Sequence, residues 1–179
     1  EPDTWVTMFN GRTLEGWTQK NGFTNFNPRD GRIHASPLRG GSGVSYLCTV
    51  GEFGDFELEL EVNLDSRFGE DFASAVQIRS KANTEGDDST FKPGTVHGPQ
   101  VKIAHTNETR SQSGCIFLNS TNGTPVPLTR SEPHSNFQKR SWNSIRIVAR
   151  GPRIQTFVNG KKVDDLTDED VFEKYPTGF

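Results

Sequence analysis

Residues 142–165, WNSIRIVARGPRIQTFVNGKKVDD, decide the fold of this chain. Apolar residues recur at every second position from 145 to 149, which is the pattern of a strand with one buried face. Gly151-Pro152 interrupts the alternation, which then resumes over 153–158. Asn159-Gly160 predicts a type I′ turn, because both central residues of that turn need positive φ. The stretch therefore predicts three antiparallel strands, which need a second sheet to bury their apolar face.

Short alternating stretches, separated by glycine, proline and asparagine, fill most of the remaining chain. The clearest is 55–64, DFELELEVNL, and further strands are predicted over 4–9, 32–36, 44–50, 72–80, 100–105 and 113–119. A short C-terminal helix is predicted over 168–174, with Thr167 as its N-cap and Pro176 after its end. The sequence thus predicts an all-β sandwich or jelly roll of two antiparallel sheets, in a single domain over 1–179.

Composition narrows the class of partner. The 179 residues carry a formal net charge of −3 without a basic stripe, which disfavours nucleic acid and anionic membranes as main partners. No apolar run approaches a membrane span. Only 31% of residues are hydrophobic but 13 are phenylalanine, so we expect aromatic side chains to form much of the core.

The two cysteines leave the redox compartment open. Cys48 and Cys115 either pair in an oxidising compartment or stay as buried thiols, and a chain of this length needs no disulfide, which favours thiols. No signal peptide is predicted within residues 1–179, and we expect residues 1–3 to be compatible with a terminus left by cleavage.

Polar residues face away from the core on three predicted strands. Glu57, Glu59 and Glu61 recur at two-residue spacing, and a solvated sheet face explains any single one of them best. The later strands add mixed donors and acceptors, which suit a hydroxyl-rich ligand. We therefore predict one sugar-binding groove, lined by Glu61, Gln77, Arg79, Gln100 and Lys102.

No cofactor is predicted from the sequence. The four histidines, His34, His97, His105 and His134, have no metal-ligand spacing, so no metal site is predicted. A calcium ion would find oxygen ligands at Asp87 and Asp88, but no EF-hand-like pattern supports one.

Four stretches together resemble one known family: MFNGRTLEGW at 8–17, GDFELELE at 54–61, GPQVKI at 98–103, and 142–160. Their order and spacing are similar to those of the 3-keto-disaccharide hydrolase family, also labelled glycoside-hydrolase-like. The resemblance implies a concanavalin A-like jelly roll with a sugar site on its concave sheet. It also implies a secreted or periplasmic bacterial protein whose ligand is an oligosaccharide or an oxidised glycoside.

The sequence departs from the family pattern at three places. Ala73-Ser74-Ala75 stands where members usually carry Asn-Ser-Gly, and Gln100 and Lys102 stand where many carry an acidic residue. The family normally continues past Thr-Gly-Phe into two further strands, whereas this chain ends at Phe179. Either the chain is truncated, lacking its final strands, or its jelly roll closes differently.

The chemistry implied by the resemblance needs a base, an acid and a group that stabilises an enolate. A ketone at C3 of a sugar acidifies the C2 proton, whose removal allows the C1 substituent to leave before water adds. The predicted base is Glu59 or, preferably, Glu61, the enolate is held by Arg79 or Lys102, and His97 is the acid. The predicted substrate-binding residues are Glu59, Gln77, Gln100 and Lys102.

A non-catalytic carbohydrate-binding module on the same fold is the alternative function. Such a module would line its groove with exposed aromatic rings, and Phe157 favours it. An enzyme would gather titratable groups in one pocket, and Glu61 and Arg79 favour it. Two carboxylates spaced for ordinary glycoside hydrolysis carry no weight here, because any i, i+2 pair on a strand has that spacing.

Overall fold

The computed structural model describes residues 4–37, 44–64, 73–84, 93–104, 112–119, 125–129 and 136–179. Within these residues the elements are β1 Trp17–Lys20, β2 Asn25–Arg29, β3 Arg32–Ser36, β4 Tyr46–Thr49, β5 Phe56–Val62, β6 Ala73–Gln77, β7 Lys81–Ala82, β8 Val96–His97, β9 Pro99–Ala104, β10 Ile116–Asn119, β11 Pro125–Pro127, β12 Asn143–Arg150, β13 Arg153–Val158, β14 Lys161–Thr167 and α1 Glu169–Lys174.

The predicted meander is formed by β12, β13 and β14, which pair antiparallel in chain order. Asn159 and Gly160 have φ values of 49° and 77°, so the prediction of two positive-φ residues in this turn is confirmed. The Asn159 side chain also accepts a hydrogen bond from Ser144 N (2.9 Å) and donates one to Asn143 Oδ1 (2.9 Å). The turn is therefore tied to the start of β12.

Two four-stranded antiparallel sheets form the sandwich. The meander sheet has the order β14-β13-β12-β5, and the companion sheet has the order β11-β10-β9-β6. Three two-stranded ribbons, β1–β4, β2–β3 and β7–β8, complete the described part of the chain. The prediction of an all-β sandwich with one short helix is confirmed.

The core lies between these two sheets and is built from aliphatic side chains. Its buried cluster consists of Ile78, Val101, Ile116, Ile145, Ile147, Ala149, Ile154, Val158 and Leu166. Each buried isoleucine or valine contributes about 1.5–3 kcal/mol relative to exposure. The expectation that aromatic side chains form much of the core is wrong for this buried cluster, which contains no aromatic residue, although Phe56 and Phe137 pack against it partly buried. Branched side chains fill the narrow space between two pleated faces instead.

Two local predictions are also corrected. Residues 4–9 form no strand, and Trp5 and Val6 are 61% and 77% exposed, so the apolar residues there have no sheet face to cover. Thr167 ends β14 and does not cap the helix; Asp168 does, because its side chain accepts a hydrogen bond from Val171 N at 3.0 Å. Cys48 and Cys115 form no disulfide and are buried, as favoured from the sequence.

The segment after α1 returns to the sandwich and joins two distant parts of the chain. Gly178 exchanges backbone hydrogen bonds with Phe53 (2.8 and 3.2 Å), and Phe179 does so with Ser80 (both 3.1 Å). A Cβ atom at Gly178 would lie 2.3 Å from Ser80 O, so only glycine allows this approach. This segment borders the candidate site.

Candidate functional site

Three of the predicted site residues share the outer face of the companion sheet. Gln77 on β6 lies directly opposite Gln100 on β9, and Lys102 is two residues further along the same strand. Gln77 Nε2 donates a hydrogen bond to Gln100 Oε1 at 2.9 Å. Gln77 Oε1 in turn accepts one from Ser80 Oγ at 2.8 Å. The two amides and the Ser80 hydroxyl thus form one connected polar row.

Glu59 and Glu61 lie on the other sheet. Both are on β5, where Glu61 faces Ser144 and Glu59 faces Arg146 across the β5–β12 pairing. Because the apolar faces of the two sheets meet in the core, their outer faces point in opposite directions. The structure therefore does not bring these glutamates to Gln77, Gln100 and Lys102, and the prediction of one shared groove is corrected.

The outer face of β5 is organised by ion pairs. Arg146 Nε donates a hydrogen bond to Glu57 Oε1 and lies 3.8 Å from Glu59 Oε1. The hydrogen bond from Arg146 holds the pKa of Glu57 below its ordinary value. The Arg146 guanidinium also lies 4.9 Å from the centre of the Phe157 ring. Phe157, which favoured a binding module, therefore packs under an arginine on this face.

Arg79 joins three segments at the end of the sandwich. Its Nε donates to Gly54 O (2.8 Å), its Nη1 to Gly151 O (2.7 Å) and its Nη2 to Asp55 Oδ1 (3.0 Å). Its guanidinium lies 5.1 Å from the centre of the Phe172 ring on α1. The side chain is 2% exposed, and burial lowers its pKa, an effect that the Asp55 charge opposes.

This arrangement bears on the catalytic role predicted for Arg79. Its φ of 48° reverses the side-chain alternation, so that Ser80 and Lys81 line a cleft that Arg79 does not line. All three hydrogen bonds of the Arg79 side chain are made to protein groups, and they hold the loops at 54–55 and 151 together. The geometry therefore makes Arg79 a structural residue.

The cleft has a volume of about 750 Å³ and lies between the β1–β4 ribbon, the β7–β8 ribbon and the end of α1. Its walls combine titratable, hydroxyl and aromatic side chains, among them Lys20, Glu52, Ser80, Lys81, His97, Lys174, Tyr175 and Phe179. Ser80 connects the cleft to the polar row of the companion sheet. Of the predicted catalytic residues, His97 is the one that lies in this cleft.

A close backbone approach places His97 there. Lys81 pairs with His97 across the β7–β8 ribbon, and Gly98 follows with a φ of 145°. A Cβ atom at Gly98 would lie 2.5 Å from Ser80 Oγ and 2.9 Å from Ser80 Cα. Glycine at 98 is therefore needed for the two ribbon strands to meet beside Ser80.

His97 forms a buried pair with Tyr175 at the base of the cleft. His97 Nδ1 and Tyr175 Oη are 3.0 Å apart, and the two rings meet edge to face with centroids 5.7 Å apart. The ammonium groups of Lys81 and Lys174 lie 5.8 and 5.7 Å from the Tyr175 ring centre. Lys81 Nζ also donates to the carbonyl of Lys174 at 3.0 Å. A histidine, a phenol and two cations therefore meet in one place.

Sequence reasoning missed most of this cluster. Tyr175 follows the predicted helix and looks like an ordinary packing residue there, and Lys81 opens a polar stretch read as a loop. The His97–Tyr175 contact joins residues far apart in the chain, which no local pattern encodes. The one available signal was the Gly98-Pro99 dipeptide beside His97, because it indicates a close approach.

No group of three or more His, Cys, Asp or Glu residues able to hold a metal ion occurs in the part of the chain that the structure describes. Asp87 and Asp88, the candidate calcium ligands, lie outside the described residues, as do His105 and His134. In the described ranges, no helix has both the length and the apolar character needed to span a membrane.

Comparison with known proteins identifies the family. The family model described as the 3-keto-alpha-glucoside-1,2-lyase-like domain matches residues 4–179. The chain belongs to this family. The resemblance drawn from the four sequence stretches is therefore confirmed. No curated protein sequence matches the chain.

Solved structures similar to this member of the lyase-like family share its fold. The carbohydrate-binding module CBM66 from Bacillus subtilis is 17% identical, with a TM-score of 0.60 over 97% of this chain and 88% of that one. A candidate glycosyl hydrolase from Parabacteroides distasonis is 16% identical, with a TM-score of 0.61 over 97% of this chain and 78% of that one. At these identities the likeness shows the jelly-roll sandwich alone.

Proposed function

We propose that this protein acts on 3-keto-glycosides by removing the C2 proton and expelling the C1 substituent, in the cleft around His97. The observation that carries the proposal is the His97–Tyr175 pair, with Nδ1 and Oη 3.0 Å apart, beside two lysines in that cleft. Membership of the 3-keto-alpha-glucoside-1,2-lyase-like family supports the reaction class. Titratable groups gathered in one concave site are typical of enzymes.

His97 is the base in this proposal, in place of Glu61. When its Nδ1 carries the proton and donates to Tyr175 Oη, the ring presents a lone pair at Nε2, which is the form that accepts a proton. The C2–H bond of the substrate breaks, its electron pair forms a C2–C3 double bond, and negative charge develops on the C3 oxygen. The Lys81 ammonium stabilises that charge electrostatically.

The second half of the reaction restores the enzyme. The enolate re-forms the C3 ketone, a C1–C2 double bond forms, and the bond from C1 to the leaving oxygen breaks. The imidazolium of His97 returns its proton to that oxygen, so the products are an enone sugar and an alcohol or a second sugar. Addition of water across the C1–C2 double bond then gives the free 3-keto sugar, which makes the net change a hydrolysis.

The proposal is tested with methyl 3-keto-glucoside by following the enone in the near ultraviolet and methanol by NMR. His97→Gln should lower turnover by a factor on the order of 10² or more, as expected when a general base is lost. Tyr175→Phe removes the partner of Nδ1 and should lower turnover less. His34→Gln, on β3 and outside the cleft, is the matched control.

One variant decides between the two possible bases. Glu61→Gln should retain full activity, since Glu61 lies on the outer face of the opposite sheet. Lost turnover in Glu61→Gln together with full turnover in His97→Gln would overturn the assignment and return Glu61 to the role of base.

Proton removal is measured separately from elimination. 1,5-Anhydro-3-keto-glucitol has no leaving group at C1, so elimination cannot follow proton removal. In D₂O the enzyme should therefore exchange the C2 proton of this compound for deuterium without converting the compound to a product. Exchange at C2 and not at C4, which is also adjacent to the ketone, would place the base on the correct side of the ring. Binding of this compound without exchange would contradict the proposed reaction.

A non-catalytic carbohydrate-binding module is the second candidate. One observation favours it: among the described residues that line the cleft, Glu52 is the single carboxylate, and the glutamates predicted as bases lie elsewhere. If the protein is a binding module, 3-keto-glycosides and ordinary glycosides should bind with similar affinity, and neither C2 proton exchange nor turnover should be observed.

A secreted or periplasmic location belongs to the same proposal, and it rests on the sequence resemblance. Fractionation of cells that produce the protein at its natural locus tests it, with a cytoplasmic enzyme as the marker. Recovery of the protein with that marker would contradict the location.

A further inference from the structure

Helix α1 leads to Tyr175 in the cleft, but its own packing holds it weakly. The helix has six residues, none of which is buried, and a helix this short is marginal without tertiary contacts. Tyr175 follows the helix as its C-cap and donates its backbone N–H to Val171 O at 2.9 Å. The place of the Tyr175 ring therefore depends on the contacts that fix this helix on the sandwich.

Residues 79–81 contact α1 and the segment after it at three points. The contacts are a cation–π contact from Arg79 to the Phe172 ring at 5.1 Å, two backbone hydrogen bonds between Ser80 and Phe179, both 3.1 Å, and a hydrogen bond from Lys81 Nζ to Lys174 O at 3.0 Å. The Arg79 side chain is 2% exposed, and a cation–π contact is strongest when the cation is desolvated. The Arg79 contact is therefore the one that we expect to fix the helix most firmly.

Arg79 also links α1 to the turn between β12 and β13. Its Nη1 donates to Gly151 O at 2.7 Å. The neighbouring carbonyl, Pro152 O, accepts a hydrogen bond from the backbone of the helix N-cap, Asp168, at 3.2 Å. The start of α1 and the Phe172 ring are thus attached to the same turn, the ring through the Arg79 guanidinium.

We propose that Arg79 is a positioning residue, which acts through the Phe172 ring to hold α1, and with it Tyr175, in the cleft. Tyr175 Oη lies 3.0 Å from His97 Nδ1, so a shift of the helix by about 1 Å would break this contact. Arg79 does not line the cleft, and its effect is therefore indirect. The inference rests on the proposed function for its effect on turnover, but the His97–Tyr175 contact can be followed without substrate.

Phe172→Leu is the main test, because it removes the ring and leaves the hydrogen bonds of Arg79 in place. Turnover of methyl 3-keto-glucoside should fall about two- to tenfold, which is within what the loss of one cation–π contact can transmit. Phe172→Tyr keeps a ring and should retain turnover. Phe157→Leu is the matched control, since it removes a ring 4.9 Å from the Arg146 guanidinium on the meander sheet, and it should leave turnover unchanged. Thermal melting sets an assay temperature at which every variant is folded.

Two measurements show whether the effect passes through Tyr175. In protein labelled with ¹⁵N-histidine, the ring-nitrogen signals of His97 in Phe172→Leu should move towards those in Tyr175→Phe, where Nδ1 has lost the same partner. In a double-mutant cycle, adding Phe172→Leu to Tyr175→Phe should change turnover by less than about twofold, because the contact is already broken.

The outcomes separate this inference from the proposed function. Unchanged His97 signals in Phe172→Leu overturn the inference, and so does a loss of turnover that Phe157→Leu shares or that adds in full to the loss in Tyr175→Phe. Shifted His97 signals with a non-additive loss of turnover support it. If the parent protein turns over no 3-keto-glycoside, the proposed function fails, and the His97 signals alone decide the inference.

Discussion

Replacing Arg79 by methionine should destabilise the fold, because its guanidinium holds three chain segments together. The substitution keeps side-chain volume but removes the hydrogen bonds to the carbonyls of Gly54 and Gly151 and to Asp55. A hydrogen bond from a charged donor contributes about 1.5–3 kcal/mol, and both carbonyls would lose their charged partner. Asp55 is 57% exposed, so the ion pair itself adds about 1 kcal/mol or less.

The net loss is smaller than the sum of these contributions. Burying a guanidinium costs free energy, and the methionine avoids that cost. We therefore expect a decrease of about 3 kcal/mol in the free energy of unfolding. For a domain of this size, that corresponds to a decrease of about 6–12 °C in melting temperature.

Differential scanning calorimetry measures this decrease, with Arg153→Met as the matched control. Arg153 also pairs with an aspartate, but its side chain is 55% exposed, and its loss should change the melting temperature far less. A melting temperature of Arg79→Met within about 2 °C of the parent, combined with lost turnover, would refute the structural role. That result would support the catalytic role predicted from the sequence.

Three further substitutions test other parts of the structure. Gly98→Ala should lower the free energy of unfolding by about 1–3 kcal/mol and distort the cleft, because the new Cβ atom would clash with Ser80. Gly31→Ala is the control, since Gly31 also has a positive φ but has open space around it, and it should leave the cleft intact. Equal effects of the two substitutions on the cleft would contradict this prediction. Gly160→Val should lower the free energy of unfolding, measured by calorimetry, by about 1 kcal/mol or more, because a β-branched residue resists the positive φ at this position. Gly160→Asn should lower it much less, and equal losses in the two variants would show that the positive φ is not the cause. Hydrogen bonds from Arg153 first, and from Lys162 second, lower the pKa of Asp165. The ionised Asp165 therefore stabilises the fold fully above the unfolded-state pKa of about 4, and this stabilisation is lost as the pH falls through the lowered pKa of the folded state. Asp165→Asn should therefore lower the melting temperature by about 2–4 °C at pH 7 and by progressively less below pH 4; a difference that is constant with pH would contradict this.

The meander was predictable because all its information is local. Period-two alternation over 145–149 and the Asn159-Gly160 turn specify strands and register without reference to the rest of the chain. By contrast, β1 and β2 were missed because they are short and polar, and Pro28 lies within β2. Residues 4–9 had suitable residue types for a strand but have no partner strand in the described part of the chain.

The site was harder to predict because period-two alternation shows which face of its strand a residue occupies, but not which of the two sheets contains that strand. Glu61 and Gln100 both point away from the core, and the sequence pattern is the same whether their strands are neighbours or lie on opposite sheets. The positive φ of Arg79 could not be predicted from the sequence either, because arginine has no preference for positive φ. His97 was named from the sequence, but its partner Tyr175 depends on how the end of the chain returns.

The return of residues 178–179 to Phe53 and Ser80 has a consequence for the order of folding. The meander closes through neighbouring residues, which is entropically inexpensive and fast, whereas the cleft needs Lys20, His97 and Tyr175 to meet from nearly the whole length of the chain. The cleft should therefore assemble after the meander of β12, β13 and β14. In refolding experiments the far-ultraviolet signal should recover before ligand binding does.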